Sequence, residues 1–443
     1  MIARYTLPEM QSVWSEEAKL RTWLRVELAV LDAQAREGQV PRAAALRIRK
    51  RARVDAARIA QLEEVTRHDL LAFVEAVSEN LGRDSRFFHK GVTSSDIVDT
   101  STALLLGDAT DLILAELGAL KKAIGRLARR HAATLTVGRT HGMHAEPTTL
   151  GLKFAVWYND IGRATRRIER AAHELRVGTV SGAVGNYSHL SPEIETVALG
   201  FLGLKPERPA TQVVQRDRHA ELISSLALAA SSMERIAVEV RNLQRTEIAE
   251  MEEPFERGQK GSSSMPHKRN PIVLERISGL ARLLRGFAAA SYENVALWHE
   301  RDISHSSVER VVLPDATIAV HYMTRCLARV LSGLRVDAAK MRENLDITKG
   351  LVYSQRLMLA LMEAGWERKR AYEKVQLLAA GAAGRHLADV ASEDREISRE
   401  LGAAGIREIF DPKFYTRYTD QILREVGILP RSTVGRKHTR KRG

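Results

Sequence analysis

The chain has 443 residues, 44% of them apolar and 28% charged, with a formal net charge of +13. This is too long for one compact core and points to two or three globular domains. Nowhere do about 18 apolar residues run together, and the opening MIARYTLPEM has no apolar leader core, so neither membrane spanning nor secretion is expected.

Aromatic residues are scarce at 5%, while Ala, Leu, Arg and Glu abound, a bias toward helix over sheet. In chain order, residues 16–36 carry Leu20, Trp23, Leu24, Leu28 and Leu31 on one helical face, and 69–81 read as a second helix. Five long patterns follow, over 94–130, 147–177, 213–250, 271–294 and 307–334, and look like a bundle. The first would be roughly 55 Å long at about 1.5 Å per residue. Shorter helices are expected at 354–364, 368–381 and 398–409. No alternating run supports a large sheet. The expected fold is all-α, with an N-terminal helical domain (1–93), a central long-helix bundle (94–341) and a C-terminal helical domain (342–430). Residues 431–443 hold six Lys/Arg and no acid; a disordered, solubilising tail is expected there, with nucleic-acid contact as the alternative. The single cysteine, Cys326, falls in an apolar helical stretch, excludes an intrachain disulfide and fits a reducing compartment such as the cytoplasm.

Three polar, glycine-bearing segments lie at ends of the long helices: FHKGVTSSD (88–96), GRTHGMHAEPTT (138–149) and GQKGSSSMPHKRNP (258–271). Loops on a rigid scaffold are where chemistry is commonly placed. In the last, serine hydroxyls and backbone N–H groups beside Lys260 and Lys268 suit an anion, although a flexible basic loop has the same composition. In GRTHGMHAEPTT, His141 and His144 flank a glycine turn before Glu146. The spacing is not that of a zinc motif, so a general acid or base is the better reading than a metal ligand, with helix capping as the plain alternative. TRHD (66–69) places His68 at a helix entry, and Thr93 and Ser94 precede the first long helix, where they either bind carboxylate or simply cap. WHERDISHSSVER (298–310) offers Arg301, Ser306 and Arg310 as a phosphate site, or a surface salt-bridge network. No metal, flavin or nucleotide-cofactor fingerprint is present, and the combination suits cofactor-free elimination on a polyanion.

GSSSMPHKRNP is similar to the fumarase/aspartase superfamily signature, G-S-S-x-M-P-x-K-x-N. Within that superfamily TRHD, TSSD, GRTHGMHAEPTT, TQVVQRDRH (211–219) and WHERDISHSS resemble the adenylosuccinate lyases. The likeness runs from Arg4–Tyr5 to about residue 427; the basic tail lies beyond it. Ser264 stands where relatives often carry Ala or Thr. The resemblance implies a homotetramer with a multi-helix core, sites shared between three subunits, and two nucleotide substrates, adenylosuccinate and the succinylcarboxamide ribotide. It implies no cofactor and no nucleic-acid partner. By motif match, Ser262 takes the Cβ proton, His141 protonates the leaving nitrogen, His68 assists, and Glu275 orients His141. Lys268, Asn270, Thr93, Ser94, Ser263 and Gln212 hold the succinyl group; Arg4, Tyr5, Arg301, Ser306 and Arg310 hold the nucleotide. Arg67, Asp69, His89 and Arg269, in the same motifs, complete the substrate-binding set. Other lyases of the superfamily, and a non-catalytic nucleic-acid binder, are the competing readings.

Overall fold

The computed structural model describes residues 1–430; the basic tail expected at 431–443 lies outside the described residues. Eighteen α-helices, three short 3-10 helices and three two-stranded ribbons make up the regular structure among them, so the all-α expectation holds. The chain forms two compact units, and their boundaries fall inside the five long helices.

The first unit comprises Met1–Ala119, Ile161–Glu234 and Arg276–Cys326. Its Glu16–Arg36 helix is capped by Ser15, whose Oγ accepts the Ala18 N–H, and carries Glu16 and Glu17 in its first turn, where the helix dipole favours them. The buried face of that helix, including Leu20, Trp23 and Val30, joins Phe73, Val77, Ile194 and Leu199 in one core. Trp23 meets Phe73 edge-on, with ring centroids 5.5 Å apart.

The second unit comprises Leu120–Asp160, Arg235–Glu275 and the described residues from Leu327. Helices Ser354–Glu363, Arg368–Gly381, Leu387–Glu393 and Arg395–Ile409 close a small core around Leu357, Leu361, Trp366 and Ile397. A separate apolar seam unites Val137 with Leu345, Val352 and Tyr353.

Three long helices differ in extent from the sequence pattern. The second runs Leu150–Glu174 because Pro147 pairs with Val137 in a hairpin. The third runs Asp217–Leu243; before it, the Val214 N–H donates to Asp99 in place of a helical partner. The fifth begins at Ser304, whose N–H donates to Asp302 2.8 Å away. The first is Ser94–Arg130, as expected, 37 residues long.

Candidate active site

In the first unit, five short segments carry the candidate residues. His68 caps the Asp69–Ser78 helix, its Nδ1 accepting the Leu71 N–H at 3.3 Å. A neutral ring so engaged carries its proton on Nε2, leaving that atom as the donor. Asp69 pairs with Arg310 at 2.5 Å, and Arg310 Nε donates to Ser306 Oγ at 3.4 Å, so TRHD and the Ser306–Arg310 turn are joined. Burial pushes the Asp69 carboxyl up, but Arg310, with the Leu70 N–H, outweighs this and holds it below the usual range. His89 Nδ1 bonds the buried Glu27 at 2.6 Å; burial opposes the charged ring, and Glu27 overcomes this to raise its pKa.

At the start of the Ser94–Arg130 helix, the Thr93 N–H donates to Asp96, which also accepts the Ser181 and Gly182 N–H groups. Gln212 Nε2 donates to the Ala183 carbonyl of the same loop, at 2.8 Å. Thr93, Ser94 and Gln212 are thereby tied to one structure. Tyr5 packs on Tyr322, with Arg276 bonding the Tyr322 hydroxyl at 2.6 Å and lying over the Tyr5 ring. Arg4 is exposed, and the Nε of Arg301 is buried without a hydrogen-bond partner.

In the second unit, the segment expected as a loop is a β-hairpin, Leu135–Thr140 with Met143–Thr149. His141 and Gly142 form its two-residue tip at φ 56° and 78°. Such turns match the strand twist but need positive φ at both positions, which a histidine tolerates only at some cost. Arg67 and His89 also adopt positive φ, so three candidate residues sit in strained backbone of the kind that clusters at functional sites. The tip holds His141 in solvent.

The loop 254–271 carries Ser262. Its Oγ accepts the N–H groups of Ser264 at 3.3 Å and Met265 at 3.0 Å. Asn270 Nδ2 donates to the Gly261 carbonyl at 2.9 Å, closing the loop on itself. Gly261 is required there: a Cβ would stand 2.1 Å from the Lys268 carbonyl oxygen. Ser263 and Lys268 are exposed, as is Glu275 in the first turn of the Ile272–Glu293 helix. Arg269 instead pairs with Glu252 at 3.1 Å and lies over Phe255, placing it at the base of the loop. Among the described residues, no hydrogen bond or ion pair within the chain joins His141 to Ser262 or Glu275. Nor does any group of three or more His, Cys, Asp or Glu converge there as metal ligands would.

The motifs did not reveal Glu250. It is fully buried and accepts both Arg139 nitrogens, at 2.6 and 3.2 Å, together with Asn344 Nδ2 and the Thr136 hydroxyl. It anchors the hairpin that presents His141 and begins the strap leading to the Ser262 loop. Its partners lie 94 to 114 positions away in sequence, so no local pattern betrays it. Glu250→Ala leaves the Arg139 charge largely buried and unpaired, and is expected to cost about 3–5 kcal/mol, read as a lowered urea midpoint. An unchanged midpoint would show that the hairpin is held by its apolar seam alone.

Comparison with known proteins gives likenesses over nearly the whole chain. A family model described as "Lyase" matches residues 3–286, and one described as "Adenylosuccinate lyase C-terminus" matches 350–426. The chain is 48% identical over 424 residues to an adenylosuccinate lyase of Thermotoga maritima, covering 95% of this chain and 98% of that one. It is 44% identical over 430 residues to an adenylosuccinate lyase of Bacillus subtilis, covering 97% and 100%. Among solved structures, a fumarate lyase from a Mesorhizobium species superposes with a TM-score of 0.88 at 28% identity, covering 96% and 99%. A 3-carboxy-cis,cis-muconate lactonizing enzyme from Pseudomonas putida does so at 0.87 and 30%, covering 96% and 98%.

Proposed function

The chain belongs to the adenylosuccinate lyase family of the fumarase/aspartase superfamily, and from that premise we propose how its residues carry out the reaction. The enzyme eliminates fumarate from adenylosuccinate, leaving AMP. In the proposed reading the same site also takes the succinylcarboxamide ribotide, which carries the same succinyl-amine bond.

One observation carries the assignment of the base: Ser262 Oγ accepts two backbone N–H groups on the loop that also bears Lys268 and Asn270. A serine hydroxyl is a poor base in water. Two N–H donors aimed at its oxygen favour the alkoxide, and a nearby ammonium favours it further. The alkoxide takes the Cβ proton of the succinyl group. The electron pair left behind puts a second negative charge on the adjoining carboxylate. The Lys268 cation offsets that charge and an Asn270 N–H donates to it, at the costliest feature of the transition state. The C–N bond then breaks toward nitrogen, and His141 supplies the proton it needs, a task suited to a histidine near neutral pH. Thr93, Ser94 and Gln212 hold the succinyl carboxylates, while Tyr5, Arg301, Ser306 and Arg310 hold the nucleotide.

The homotetramer, the site shared among three subunits, the three-domain division and a cytoplasmic location belong to the same reading. Exposed apolar side chains on the long helices, including Val156, Leu228, Val238 and Leu283, support assembly through the bundle. The His141 ring and the Glu275 carboxylate, unengaged within the chain among the described residues, are consistent with partners on neighbouring subunits. Among the described residues no helix is long and apolar enough to cross a membrane.

The direct test is the absorbance change on adding adenylosuccinate to the purified enzyme. Turnover is expected without added metal and unchanged by EDTA. Loss in EDTA, restored by a divalent cation, would replace cofactor-free proton transfer with metal-assisted chemistry.

A further inference from the structure

Arg216 lies just before the Asp217–Leu243 helix and is 3% exposed. Its Nη1 and Nη2 fork onto Asp99, at 2.5 and 2.9 Å. Its Nε and Nη2 reach Glu309, at 3.0 and 3.2 Å. Nη1 also donates to the Val214 carbonyl at 2.6 Å, and the Val214 N–H donates back to Asp99 at 2.9 Å.

The partners of this one guanidinium stand on three segments. Asp99 lies in the opening turns of the helix that starts at Ser94. Val214 follows Gln212 by two residues. Glu309 immediately precedes Arg310 and lies three residues past Ser306. All belong to the first unit.

A buried charge cluster is a poor device for stability alone, because its desolvation offsets much of its attraction and apolar replacements often do as well. What it fixes is geometry. A planar fork with donors on three nitrogens can hold two carboxylates and a carbonyl in one arrangement; an ammonium cannot. The two histidines beside it add no competing charge. Burial first, and the Arg216 cation second, lower His219 to about 3 and His305 to about 4, so both stay neutral at physiological pH.

We propose that Arg216 is a positioning residue for the elimination, setting the spacing between the Thr93–Ser94 helix start, Gln212 and the Ser306–Arg310 turn without touching substrate. The proposal rests on the assignment of those residues to the substrate.

A double-mutant cycle in the full-length enzyme tests it. Arg216→Lys is expected to lower kcat/KM roughly 10²-fold, the scale on which a misplacement of about 1 Å acts. Gln212→Ala in the unaltered enzyme is expected to lower kcat/KM at least about tenfold, as loss of a hydrogen bond to a charged group does. In the Arg216→Lys background the same change is expected to cost less than about threefold, because Gln212 is already out of register. A merely structural Arg216 would reduce the amount of folded enzyme and leave the cost of Gln212→Ala the same in both backgrounds, which overturns the proposal. A silent Gln212→Ala in the unaltered enzyme overturns the substrate assignment beneath it. Should Arg216→Lys fail to assemble, judged by circular dichroism and light scattering, Glu309→Gln enters the same cycle. It keeps the volume and an acceptor oxygen, and the same two outcomes decide.

Discussion

Ser262→Ala is expected to lower turnover of adenylosuccinate by at least about 10²-fold, the low end of what general acid–base catalysis supplies, with the fold and assembly intact. The hydroxyl is on a loop, and its removal releases only the Ser264 and Met265 N–H groups to water, so its structural cost is small. On the proposed mechanism the effect is expected on kcat, because the alkoxide would act in the transition state while other residues carry binding. His141→Ala is expected to follow the same pattern, since the proposed mechanism makes it the proton donor for the leaving nitrogen. A loss below about 10²-fold in Ser262→Ala would assign the base to another group.

The second large effect is a recovery. The Ser94–Arg130 helix is 37 residues long, or about 55 Å at helical rise; the TSSD motif opens it and the His141 hairpin follows its far end in sequence. In the proposed assembly, antiparallel packing of neighbouring bundles would let each site draw His68 and Thr93, His141, and Ser262 from three subunits and avoid that span. Ser262→Ala subunits keep His141, and His141→Ala subunits keep Ser262. Denatured together in equal amounts and refolded, the two inactive enzymes are expected to regain up to about a quarter of the sites, since each site takes the two groups independently from two subunits. Mixed tetramers as inactive as either parent would place both residues on one chain.

Much of this architecture is legible in the sequence because helices announce themselves locally. Ser15, two acids and an apolar face at helical spacing define Glu16–Arg36, and the Ser94–Arg130 helix appears with its full extent. The hairpin was less visible. Its strands hold too few alternating residues to separate from a polar loop, and the pairing from Leu135 with Thr149 to Thr140 with Met143 establishes it. The candidate site divides the same way. Residues in contiguous motifs, such as Ser262 and His68, can be named from their neighbours. Glu250, and the Asp99 and Glu309 that grip Arg216, are ordinary acids in helical or irregular sequence. Their meaning comes from partners 93 or more positions distant, which the chain reaches only when folded. Arg269 illustrates the converse: it sits in the strongest motif, yet its guanidinium is engaged by Glu252 and the Phe255 ring.

The division between the two units passes through the interiors of five helices rather than through linkers. Domains that evolve by shuffling are joined at exposed, contact-poor connections, where a crossover leaves both partners whole. Here a crossover at any boundary would have to splice a helix in phase, keeping the 3.6-residue periodicity so that buried faces on either side stay buried. Five such splices would have to succeed together. Replacing one of these units by another would therefore have to keep five helices in phase at once, a constraint that an exchange at a linker does not carry.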